Sequence, residues 1–113
     1  MADATTTVES LKEVVRAFTT ERHWGSFHTP KNLSMALATE VAELMEHFLW
    51  LTGEESQAAC ADPTRREAIA DELADVTYLL LNFSIHSGID ISEAFRHKMS
   101  KNVLKYPAEE SNE

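Results

Sequence analysis

Residues 32–52 read NLSMALATEVAELMEHFLWLT, and residues 62–88 read DPTRREAIADELADVTYLLLNFSIHSG. In the first stretch Leu33, Leu37, Val41, Leu44, Phe48 and Leu51 recur at steps of three and four. In the second, Ile69, Leu73, Val76, Leu80 and Phe83 do the same. That period lines one face of an α-helix and fits no strand. The spacing predicts a helix from near Asn32 to just before Gly53. A second is expected to open on Asp62 as N-cap, with Pro63 in its first turn, and to close at Gly88.

Working outward, Val8, Leu11, Val14, Val15 and Phe18 predict a helix over about 8–21, with Thr6 and Glu9 at capping-box spacing. Asp90 and Glu93 repeat that spacing and open a last helix through Ala94, Phe95, Met99 and Val103 toward Pro107. HWGSFHTPKN, residues 23–32, reads as a structured loop dense in rings. TGEESQAACADP, residues 52–63, reads as a small polar connection. Residues 1–7 are expected to be a disordered leader, 8–107 one domain, and 108–113 a frayed acidic tail. Four helices on short connections make an all-α, four-helix bundle the expected fold.

At 113 residues the chain has room for one core. Three glycines and three prolines are few for an all-β chain that turns often. The formal charge of −9 argues against a nucleic-acid surface, because it repels phosphate unless cations mediate. One cysteine makes no intrachain disulfide, and MADATTTVES shows no basic segment followed by an apolar one. Apolar runs such as Tyr78 to Leu81 are far shorter than the roughly 20 residues of a membrane span. A cytoplasmic protein without nucleic-acid or membrane partners is expected.

The two long helices share a short similarity: TEVAEL at 39–44 against DELADV at 71–76. At about 100° per residue, Glu40 and Glu43 fall about 60° apart on one helix face, as do Glu72 and Asp75 on theirs. Both pairs border their apolar seams on the same side. Antiparallel packing through those seams would gather four carboxylates at the edge of the core, where repulsion and desolvation are costly without a cation. Oxygen ligands suit Mg²⁺ or Mn²⁺. Acids at these intervals also commonly just solvate an exposed helix face. None of the four, however, has Lys or Arg four residues on to pair with. No His has Glu three residues before it, which removes the usual di-iron pattern, and one Cys with scattered His gives no zinc spacing.

Taken in order, the blocks ERHWGSFHTPKNL, ALATEVAELMEHFLW, DELADVTYLLL and KMSKNVLKYP resemble the all-α nucleotide pyrophosphohydrolases, the MazG-like proteins, and within them the dCTP pyrophosphatases. The resemblance spans about residues 17–107. It implies a magnesium site from Glu40, Glu43, Glu72 and Asp75, with Mn²⁺ as a possible substitute. It also implies hydrolysis of a nucleoside triphosphate, dCTP or a modified pyrimidine deoxynucleotide, to monophosphate and pyrophosphate. Glu46 matches a further acidic position that orients water or holds another metal, although its face is turned away from Glu40.

For the substrate, the resemblance implies Trp24, His28 and Trp50 around the base, Lys31 and Asn32 near phosphate and loop backbone, and Lys98, Asn102 and Tyr106 reaching in from the last helix. Each has a plainer reading: the tryptophans fill the core, His28 caps the second helix, and Lys98 with Asn102 solvates a helix end. Relatives selective for dCTP carry Tyr four residues after the last acid; here that position is Leu79, with Tyr78 one residue earlier, so strict cytosine selection is not implied. Turnover of dUTP or a damaged purine nucleotide, or nucleotide binding without turnover, remain alternatives. The resemblance further implies a homodimer or homotetramer with pockets near subunit contacts.

Overall fold

The computed structural model describes residues 1–109, so most of the expected acidic tail, residues 110–113, lies outside the described residues. Five α-helices follow one another: α1 (Val8–Glu21), α2 (Pro30–Glu46), α3 (Gly53–Ala61), α4 (Pro63–Ser87) and α5 (Ile91–Lys105). Single 3-10 turns precede α1 at Asp3–Thr5 and α2 at Gly25–Phe27. No strand occurs among the described residues.

Each helix starts on a side-chain cap that accepts a first-turn N–H: Thr7 from Ser10, Thr29 from Asn32, Thr52 from Glu55, Asp62 from Arg65 and Asp90 from Glu93. Such a cap contributes about 1 kcal/mol. The cap of α1 is therefore Thr7 rather than Thr6. α2 opens at Pro30 under Thr29, two residues before the sequence expectation, because proline suits a first helical turn. Gly88 closes α4 in the left-handed region at φ 71°, where glycine has no Cβ penalty.

Two expectations need correction. Residues 53–61, expected as a polar connection, form α3, so the described residues hold five helices instead of four. The missed signal is a full capping box: Thr52 N–H donates to Glu55 Oε1 at 2.9 Å, and Glu55 N–H donates to Thr52 Oγ1 at 3.1 Å. Only Ala59 of this helix is buried, so it carries no apolar stripe that periodicity can detect. α2, expected to reach Gly53, stops at Glu46. Phe48 N–H then donates to Met45 and Leu51 N–H to Phe48, three-residue steps that turn the chain before the extended cap at Thr52.

α4 is the hub: α2 packs along it most extensively, and α1 and α3 rest against it. Val15, Leu33, Ala59 and Leu81 are the buried apolar side chains. The α1 face turned inward is Lys12, Val15 and Thr19, while Val14 and Phe18 of the predicted stripe are open. No α5 residue is buried. The radius of gyration is 17.3 Å, against about 13 Å for a compact domain of about 100 residues. No described helix is long and apolar enough to cross a membrane.

Candidate active site

His28, just before α2, contacts Asn82 of α4, and Glu40, further along α2, meets Glu72, further back on α4. The two helices are therefore antiparallel, as the carboxylate argument requires. One carboxylate oxygen from each of Glu40, Glu43 and Glu72 lies within 4.8 Å of the others. Asp75 is exposed and outside that trio, but its charge acts on Glu40.

Oε2 of Glu40 and Oε2 of Glu72 are buried without a hydrogen-bond partner. Among the described residues, the ion pairs involve none of the four acids. Burial pushes the Glu40 carboxyl up to about 7, helped by the adjoining Glu72 and Glu43 carboxyls and by the charges of Glu43 and Asp75. Orphaned, mutually repelling oxygens with no basic partner fit a hard divalent cation, and the all-oxygen donor set suits magnesium or manganese.

A cavity of about 580 Å³ opens beside these acids, with Glu40 and Asp75 on its wall. Val14, Val15, Phe18, Trp24, Tyr78 and Leu79 supply the rest, and the small side chains of Ala36 and Ala74 leave it room. Phe18 meets Trp24 edge-on at 5.5 Å and Tyr78 at 5.7 Å between ring centroids. The guanidinium of Arg22 lies 3.7 Å above the Phe18 ring. The Tyr78 hydroxyl is buried with no partner. Concave apolar walls with a few polar groups are what a small organic ligand needs.

The direction of Trp24 is set by how α1 ends. His23 N–H donates to the Thr20 carbonyl at 3.1 Å, and Trp24 N–H to the Thr19 carbonyl at 3.2 Å. This pair is the Schellman arrangement, and the Trp24–Phe18 contact is its usual apolar companion. The left-handed position belongs to His23, at φ 55°, where a residue with a Cβ is disfavoured by roughly 1–2 kcal/mol.

Of the other residues singled out in the sequence, His28 is half-buried and does not line the cavity; its ring faces Trp24 at 6.3 Å. Asn32 Nδ2 donates to the Phe27 carbonyl at 3.1 Å, so this side chain braces the loop. Lys31 is exposed. Glu46, the last residue of α2, is exposed and joins neither the trio nor the cavity. Trp50 is 89% exposed in the turn after α2. Lys98, Asn102 and Tyr106 ride on or just past α5, and none lines the cavity. Among the cavity-lining residues that sequence reasoning left out of the site are Phe18 and Tyr78. Tyr78, three positions after Asp75, shares its helical face.

The sequence profile of the MazG-like family matches residues 35–113. The chain belongs to the MazG-like family. It is 37% identical over 102 residues to human dCTP pyrophosphatase 1, which covers 90% of this chain and 60% of that protein. It is 36% identical over 101 residues to the bovine dCTP pyrophosphatase 1, covering 89% of this chain and 60% of the other. The chain thus spans about three fifths of the length of these mammalian relatives. Among solved structures, a pyrophosphatase from Archaeoglobus fulgidus superposes with a TM-score of 0.85 at 35% identity, over 96% of this chain and 99% of that one.

Proposed function

We propose that this MazG-like protein is a nucleoside triphosphate pyrophosphohydrolase that takes dCTP or a modified pyrimidine deoxynucleotide and releases monophosphate and pyrophosphate. The observation that carries this reading is the juxtaposition of the Glu40–Glu43–Glu72 trio with an aromatic-walled cavity. Glu40, Glu43 and Glu72, with Asp75 beside them, would hold Mg²⁺, or Mn²⁺ in its place. When bound, the ion supplies positive charge for the polyphosphate and polarises a phosphoryl oxygen.

In this reading Trp24, Phe18 and Tyr78 enclose the base, and Glu40 and Asp75, which also line the cavity, take the phosphates toward the acids. The Tyr78 hydroxyl is buried without a partner, and a shift of its side chain would bring it to the base edge. The wall around it is mostly apolar, which tolerates a substituent on the pyrimidine ring. Trp50, Lys98, Asn102 and Tyr106 stand away from the cavity of one chain. They serve the substrate in a homodimer or homotetramer, where a second subunit covers the apolar residues that a lone chain exposes.

The test is turnover of a panel of canonical and 5-substituted deoxynucleoside triphosphates with Mg²⁺, reading monophosphate and pyrophosphate separately. Release of pyrophosphate with a dCMP-type monophosphate is expected. Preference for dUTP or a purine nucleotide would change the substrate, and binding without turnover of any nucleotide would overturn the enzyme reading.

A further inference from the structure

Among the described residues, one side-chain to side-chain hydrogen bond joins positions far apart in sequence: Asn82 Nδ2 lies 3.1 Å from His28 Nδ1. Asn82 is 1% exposed in the interior of α4, one of the two largest fully buried side chains. A buried amide is costly unless its bonds are made, and a leucine would fill the position without that cost. An amide nitrogen only donates, so the imidazole accepts at Nδ1 and carries its own proton on Nε2. Burial and the neighbouring His86 hold His28 below the ordinary histidine pKa, in keeping with a neutral ring that accepts.

The other contacts of His28 lead toward the cavity wall. Its ring meets His86 at 5.6 Å and Trp24 at 6.3 Å, both edge-on. Trp24 lines the large cavity and His28 does not. Trp24 is therefore held from two directions, by Phe18 through the end of α1 and by His28 through α4. Beside the bond lies a second cavity of about 480 Å³, lined by Thr19, His23, Ser26, Asn82 and His86. It gives the loop room to relax once the bond is cut.

We propose that Asn82 is a positioning residue: through its hydrogen bond to His28 it fixes the Trp24 wall of the cavity and thereby the fit of the substrate base. This rests on the reading that the cavity takes the base. Losing the bond leaves the carboxylates untouched and loosens the wall, so the ground state and the transition state lose binding alike. The expected signature is a raised KM with kcat preserved.

The experiment combines N82A, H28F and the double variant, each with the triphosphate best turned over by the wild type in Mg²⁺. Imidazole nitrogen NMR of the nucleotide-free proteins is recorded alongside. N82A is expected to raise KM about fivefold, the size one net hydrogen bond supports, with kcat within about twofold. H28F keeps a ring against Trp24 but removes the acceptor, so it should match N82A, and the double variant should add nothing further. In the spectra, wild-type His28 should carry its proton on Nε2, and N82A should lose that bias.

An unchanged KM in a folded N82A, losses that multiply in the double variant, or a His28 spectrum indifferent to N82A would each overturn the proposal. If N82A does not fold, H28F at its half-buried loop position decides the case by the same split between KM and kcat. A protein that turns over no nucleotide removes the proposed function, and the NMR result then decides alone whether Asn82 orients His28.

Discussion

The seam between α2 and α4 buries Leu33 and Leu81 and draws Glu40, Glu43 and Glu72 together, whereas α5 buries none of its residues and leaves Phe95, Val103 and Leu104 mostly open. Both regions have capped helices with recurring apolar residues. What separates them is a partner: α2 and α4 are long, antiparallel and close in sequence through α3, so each supplies the other's cover. α5 has its cap at Asp90 and its backbone ladder, but a helix of 15 residues gains most of its stability from packing. Periodicity therefore reports that a face is apolar and leaves open which surface covers it.

The sharpest way to break the comparison is at the seam. E40Q and E72Q should each lower kcat about a thousandfold, since metal-assisted charge stabilisation contributes several kcal/mol and each 1.36 kcal/mol is tenfold. Neither should unfold the protein, because each removes a repelling charge. Full activity in folded variants would show that the trio is not the catalytic centre.

A smaller effect is expected at α5. If the proposed oligomer covers this face, F95E should weaken self-association at least about tenfold, read by sedimentation over a concentration series, because it would put a charge against a partner's apolar surface. Activity should fall in parallel at low protein concentration, while Mn²⁺ binding at the seam, read by EPR, is retained. Association unchanged in F95E would mean that α5 is not the covered face.

The smallest effect sharpens the contrast by acidity. The folded pKa of Glu40, about 7, lies above the ordinary 4.5. The stability linked to this group is therefore fully present below about 4.5 and is lost as pH rises through about 7. Without metal, the thermal midpoint of the wild type should fall relative to E40Q across that window, and Mg²⁺ at pH 8 should restore it. F95E should keep the same pH response, since the trio lies within one chain. A constant gap between wild type and E40Q at all pH values would refute the electrostatic account.

Much of this was legible in sequence. The caps at Asp62 and Asp90 and the stop at Gly88 follow from local chemistry, and the matched TEVAEL and DELADV segments are indeed brought face to face. α3 escaped notice because a helix of small residues has no stripe to detect, although Thr52 and Glu55 announced its start. The cavity was partly legible: Trp24 was singled out by resemblance, but Phe18 read as core, and its exposure depends on how α1 leans on α4. Asn82 was invisible because its partner lies 54 positions away, a distance that no local pattern spans. Trp50, Lys98, Asn102 and Tyr106 were grouped by resemblance alone, and one chain does not bring them to the cavity.

The left-handed His23 also bears on mechanical tolerance. Glycine there would relieve about 1 kcal/mol of steric cost, yet glycine explores both hands of backbone space and would slacken the junction between α1 and the loop. An imidazole at this point keeps the chain's exit direction narrow, and Trp24 is the next residue. A change of backbone freedom at His23, which forms no part of the wall, would therefore be passed on to Trp24, which does.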